Sequence, residues 1–109
     1  MSAQPPGAAF ARSCTVPVDH PAFAGHFPGQ PILPGVALLA QVLAVWRDAV
    51  SALPPPPQPL RLAMAKFLAP VGPGAVLQVE LTAEARQLRF AVTLAGQPAV
   101  QGAFALEAP

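Results

Sequence analysis

Prolines at positions 21, 28, 31 and 34 decide what the first third of this chain can become. Proline lacks a backbone N–H and fixes φ near −65°, so closely spaced prolines exclude both an α-helix and a central strand. Asp19 to Pro34 is therefore a loop. Straight after it come eighteen residues without a proline, VALLAQVLAVWRDAVSAL from Val36 to Leu53, mostly good helix formers. Gln41, Arg47, Asp48 and Ser51 gather towards one side and the rest is apolar nearly all round. That pattern predicts a helix buried over most of its surface. Pro54 ends it, and PPPPQP is a stiff connector.

Beyond the connector the periodicity falls to two. Leu77, Val79, Leu81 and Ala83 alternate with Gln78, Glu80, Thr82 and Glu84, as in a half-buried strand. Leu88, Phe90, Val92 and Leu94 alternate with Arg89, Ala91 and Thr93. A turn around Gly96-Gln97-Pro98 leads to Val100, Gly102, Phe104 and Leu106 on one face. Leu60 to Leu68 is a further strand, linked by Pro70-Val71-Gly72-Pro73-Gly74, and Phe10 to Val18 is the first. Residues 1–9 read as a Pro/Gly-rich tail and residues 10–109 as one domain. A single helix followed by an antiparallel meander implies an α+β fold, the sheet wrapped around the helix.

Composition narrows the function classes. The chain is 53% hydrophobic and 10% charged, which argues for a packed core. Much of that apolar content is alanine, which buries little area, so part of the surface is expected to lie against another subunit. A formal net charge of +1 leaves no basic footprint for nucleic acid. The lone Cys14 has no internal disulfide partner, as expected in a reducing compartment. MSAQPPGAAFARS lacks the basic start and apolar core of a secretory signal. The helical segment carries Arg47 and Asp48 and falls short of a membrane span. The expectation is a soluble cytoplasmic protein. No metal-ligand spacing, phosphate loop or dinucleotide fingerprint is present.

The loop ends in GHFPGQPILPGV, with His26-Phe27-Pro28-Gly29, Pro31-Ile32, and Pro34-Gly35-Val36 entering the helix. A second group is Lys66-Phe67, Pro70-Val71 and Pro73-Gly74 before the Gln78/Glu80 strand. These motifs, in this element order, resemble the hot-dog-fold β-hydroxyacyl-acyl carrier protein dehydratases, over about residues 10–107. Asp19-His20-Pro21-Ala22-Phe23-Ala24-Gly25 is similar to the short dehydratase-like proteins of aryl-polyene and related lipid clusters. The resemblance implies a thioester on acyl carrier protein or coenzyme A as substrate, no cofactor, and a homodimer or higher assembly.

Dehydrating a β-hydroxyacyl thioester requires a base for the proton beside the carbonyl, an acid for the leaving hydroxide, and a donor for the enolate oxygen. Histidine suits the first task because its ordinary pKa of ~6.5 lies near working pH. His26 matches the family's catalytic histidine; otherwise it is a loop histidine bonded to backbone. Ile32, Leu33 and Pro34 cannot cap the helix and Gly35 has no side chain, so the first N–H groups are open to an anionic oxygen. The resemblance assigns that role to the N–H of Gly35, and substrate contacts to Phe27, Pro28, Gly29, Pro34 and Val36.

The acid is where the chain departs from the family, which carries Glu or Asp 14 residues after the histidine and pairs it with the histidine of the opposite subunit. That position is Ala40. Gln41 is rotated by ~100° and its amide is a poor proton donor; Asp48 lies ~12 Å further along the axis. Asp19 and His20, on the histidine's own loop, are the local candidates for a substitute acid. Arg61, Lys66, Arg86 and Arg89 are candidates for docking an acidic carrier. Two alternatives stay open beside the dehydratase. One is a silent acyl-binding or partner subunit, lending His26 to a sister hot-dog chain in a mixed dimer. The other is a hot-dog thioesterase.

Overall fold

The alternating segments become strands and the proline-free segment becomes the one α-helix of the described residues. The computed structural model describes residues 7–23 and 33–106. In chain order these form β1 (Ala9–Thr15), a one-turn 3₁₀ helix (Pro21–Phe23), α1 (Gly35–Asp48), β2 (Leu62–Phe67), β3 (Val76–Ala83), β4 (Gln87–Leu94) and β5 (Gln97–Ala105). The sheet order is β1-β3-β4-β5-β2, every pairing antiparallel. β1 and β2 are the edges. The single turn at Pro21–Phe23 inside the proline-rich loop places Pro21 first, where its missing N–H costs nothing.

The two-residue period sets the core. Leu77, Val79 and Leu81 of β3, Leu88, Phe90 and Val92 of β4, and Val100 and Phe104 of β5 are buried with Leu38, Val42, Val45 and Trp46 of α1 in one cluster. Phe104 joins the layers, its ring 5.4 Å from Trp46 and 5.2 Å from Phe90. Each large buried side chain adds roughly 1.5–3 kcal/mol of transfer free energy.

Several boundaries differ from the sequence reading: β1 ends at Thr15 rather than Val18, β2 spans Leu62–Phe67 rather than Leu60 to Leu68, and three further differences have a physical reason. The helix stops at Asp48, not Leu53, because Ala49 leaves helical geometry at φ −96° and ψ 28°. The N–H groups of Ala52 and Leu53 both turn back to the Ala49 carbonyl, which carries Leu53 into the core at 1% exposure. Tertiary burial thus overrides helix propensity. The hairpin turn is Ala95-Gly96, not Gly96-Gln97-Pro98, with φ of 52° and 80°, so both turn residues are left-handed as a two-residue hairpin requires. Finally, Gly7 N–H donates to the Ala83 carbonyl and Ala83 N–H to the Ala8 carbonyl, so sheet bonding reaches into the segment read as a tail.

Gly102 holds β2 against β5. A Cβ there would lie 2.5 Å from Cζ of Phe90 and inside contact distance of the Met64 carbonyl oxygen, a backbone atom that cannot swing aside. Gly102→Ala is expected to destabilise the fold by about 1–3 kcal/mol through overpacking, read as a lower urea midpoint at unchanged m-value. A neutral substitution would show that the β2–β5 approach is looser than these distances.

Candidate functional site at the start of the helix

Pro34, with φ −61° and ψ 150°, is the N-cap of α1 and offers no side-chain hydrogen bond. The first intrahelical bond is donated by Leu38 N–H to the Pro34 carbonyl at 3.0 Å. The N–H groups of Gly35, Val36 and Ala37 therefore lie ahead of the intrahelical ladder, at the positive end of the helix dipole. Below them is an open hollow of about 570 Å³, lined by Leu33, Gly35, Leu38, Phe67, Leu68, Ala69, Pro70 and Val71. Among the described residues every side chain that lines it is hydrocarbon. An anionic oxygen at the helix tip and an alkyl chain below it meet opposite demands side by side.

The entry to the helix is pinned. Leu33 N–H donates to the Val71 carbonyl at 2.7 Å, and Leu68 N–H to the Ala99 carbonyl at 2.8 Å. Helix tip, hollow and the end of β2 thus share one hydrogen-bonded frame.

Of the residues expected to act, His26, Phe27, Pro28 and Gly29 lie outside the described residues. Pro34, Gly35 and Val36 are at the helix tip. Ala40 is exposed, one of a stripe with Val36 and Ala44 along the open side of α1, while Gln41 is half-buried. Asp48 is held 2.6 Å from Arg12 of β1 at the other end of the helix. His20 is half-buried; its Nδ1 accepts the Ala22 N–H at 3.0 Å and its ring meets Phe23 edge-on at 6.0 Å. In the neutral ring this leaves the proton on Nε2. Asp19 is exposed. Burial pushes the Cys14 thiol above its ordinary range, against the pull of Arg12, which makes it a poor nucleophile.

The cations do not gather at the hollow. Lys66 neighbours Phe67, but Arg61 and Arg86 flank the end of β5, where their carbonyls accept from Ala105 and Leu106. Arg89 lies 3.5 Å from Glu84. A second hollow, of about 550 Å³, is lined by polar residues including Glu80, Thr82, Arg89 and Gln101, which alternate with the core residues and so belong to the opposite sheet face. It shares no residue with the helix tip.

One contact went unread in the sequence. A Cβ on Gly35 would lie 2.9 Å from Cζ and 3.1 Å from Cε1 of Phe67, so the phenyl ring rests on the glycine. The only sequence signal was that position 35 has no side chain.

A five-stranded antiparallel sheet packed against one long helix is the hot-dog fold. The family model described as ApeI-like, ApeI dehydratase, matches residues 3–103. The chain belongs to that dehydratase family. It is 40% identical over 72 residues to the 3-hydroxyacyl-[acyl-carrier-protein] dehydratase FabZ of Syntrophotalea carbinolica, covering 61% of this chain and 48% of that protein. With the FabZ of Geotalea uraniireducens it shares 35% identity over 106 residues, 85% of this chain and 68% of that one. Among solved structures, "The Dehydratase Heterocomplex ApeI:P from Xenorhabdus doucetiae" matches with a TM-score of 0.72 and 29% identity, covering 94% of this chain and 89% of that one. The chain spans about half the length of several curated relatives it matches. Among the described residues no helix is long and apolar enough to cross a membrane.

Proposed function

We propose that the chain dehydrates β-hydroxyacyl thioesters, with His26 as the base and the Gly35 N–H as the oxyanion donor. The observation that carries this reading is the uncapped start of α1 opening onto an apolar hollow. The imidazole takes the proton beside the thioester carbonyl, and charge moves to the carbonyl oxygen, where the helix tip holds it. As the enolate collapses the β-hydroxyl leaves with a proton as water, and an enoyl thioester remains. The thioester is carried by acyl carrier protein or coenzyme A; among the described residues no Lys or Arg lines the hollow, so this chain alone gives weak support for carrier docking.

The second step wants an acid. Asp19 and His20 are the local candidates: the half-buried His20 ring is held through Nδ1 by the Ala22 N–H, whereas Asp19 is exposed. A second reading is favoured by the surface. Val36, Ala40 and Ala44 leave the open side of α1 apolar, and the edge strand β2 exposes Leu62 and Met64 at 45% and 55%. An apolar edge with unpaired backbone groups suits pairing with another hot-dog chain. That chain is either a second copy or a sister that keeps a carboxylate where this one has Ala40. The heterocomplex of the solved relative supports the mixed pair.

The test supplies β-hydroxyacyl thioesters on both carriers and follows enoyl product and free thiol. Enoyl product supports the dehydratase and thiol release a thioesterase. Activity only after adding a carboxylate-bearing sister chain supports the mixed pair. Ala40→Glu in the chain alone is expected to raise enoyl formation at least about tenfold, since an acid contributes ~10²–10⁴ and an exposed helical site accepts glutamate cheaply. An unchanged rate would remove the missing carboxylate as the explanation of slow turnover.

A further inference from the structure

We propose that Phe67 is a roof over the helix tip, a positioning residue that keeps water from the first-turn N–H groups and confines the thioester carbonyl to one approach. The ring occupies the space that any side chain at position 35 would need, with Cζ 2.9 Å and Cε1 3.1 Å from the Cβ position. Only glycine admits it so closely. Core packing does not explain the placement. The core cluster's side chains are 0–4% exposed, whereas Phe67 is 50% exposed. A half-wetted phenyl contributes much less to folding than a buried one.

The backbone beneath the ring is fixed by hydrogen bonds, while the ring itself is half-exposed. Leu68 and Ala69 both donate to the Ala99 carbonyl, at 2.8 and 3.3 Å, directly after Phe67. The Leu33–Val71 bond ties the helix entry to the same segment. Roof and tip are therefore held in constant relation, and only rotation of the exposed side chain opens the tip, a motion of picoseconds to nanoseconds. Donors aimed at a developing oxyanion act more strongly where water is excluded. The ring supplies that exclusion on the glycine side.

The catalytic half of this inference rests on the dehydratase reading; the structural half does not, and the experiment separates them. In amide hydrogen exchange, Phe67→Ala is expected to speed exchange at Gly35 and Val36 about tenfold or more, with the core amides of β3 and β4 unchanged. With a β-hydroxyacyl thioester, kcat is expected to fall about tenfold at nearly constant KM, less than the ~10²–10³ for deleting an oxyanion donor outright. Phe67→Leu restores part of both. Gly35→Ala keeps the N–H but displaces the ring, so adding Phe67→Ala to it brings little further loss. Unchanged exchange at Gly35 and Val36, or fully additive losses in the double variant, overturns the roof. A wild-type chain that turns over no thioester counts against the dehydratase reading, and the exchange result still decides the roof.

Discussion

His26→Ala is expected to lower enoyl formation by about 10²–10⁴-fold while leaving the melting temperature nearly unchanged. The size follows from what is lost. A helix tip stabilises an enolate only after a proton has been removed, and among the described residues the walls of the hollow carry no group able to remove it. On the reading that no other group supplies the acid, the His26 imidazole would also return its proton to the departing hydroxide, and one residue would serve both steps. That makes the outcome sharper than in a site with separate base and acid. Ala40→Glu added to His26→Ala is expected to recover almost nothing, because an acid has no carbanion to act upon without the base. The measurement is enoyl absorbance under single-turnover conditions, with binding followed separately. A His26→Ala chain that still forms enoyl product near the wild-type rate would move the base elsewhere on the loop, with His20 the first place to look.

Strand faces were readable because burial on one side of a sheet imposes a period of two. Leu77, Val79 and Leu81 point inward as their spacing implied. The helix tip was readable for a similar local reason: Ile32, Leu33 and Pro34 have no side chain that caps, and the cap position carries no such bond. What lay beyond reach was set by distant partners. The turn at Ala49 lies in a segment without proline or glycine, and it exists because Leu53 finds the core and the Trp46 indole finds the Pro54 carbonyl. Phe67 meets Gly35 only because β2 joins the sheet beside β5, out of sequence order. That position 40 is alanine is plain in the sequence, but its exposure along an apolar stripe belongs to the folded chain. Local chemistry and periodicity survive in one dimension; contacts made by topology do not.

Trp46→Ala is expected to cost about 4 kcal/mol, within the ~3–5 kcal/mol typical of removing a buried tryptophan. Against the ~5–15 kcal/mol that holds a domain of this size together, such a loss leaves little margin at 37 °C. Two interactions combine in that figure. The ring, 1% exposed, packs at 5.4 Å on Phe104, which in turn packs on Phe90, so deletion opens a void where helix and sheet meet. The indole N–H donates to the Pro54 carbonyl at 2.8 Å and ties the proline connector to the end of α1. Trp46→Phe separates the two, keeping an aromatic against Phe104 while losing the donor. Its cost is expected near ~1–2 kcal/mol, the net worth of a hydrogen bond plus a smaller void. Urea unfolding of the two variants gives the split. Equal losses from both would mean that the indole tie, rather than the filled volume, fixes the helix against the sheet. A far larger loss for Trp46→Ala assigns that role to packing, as the burial of Trp46, Phe90 and Phe104 requires.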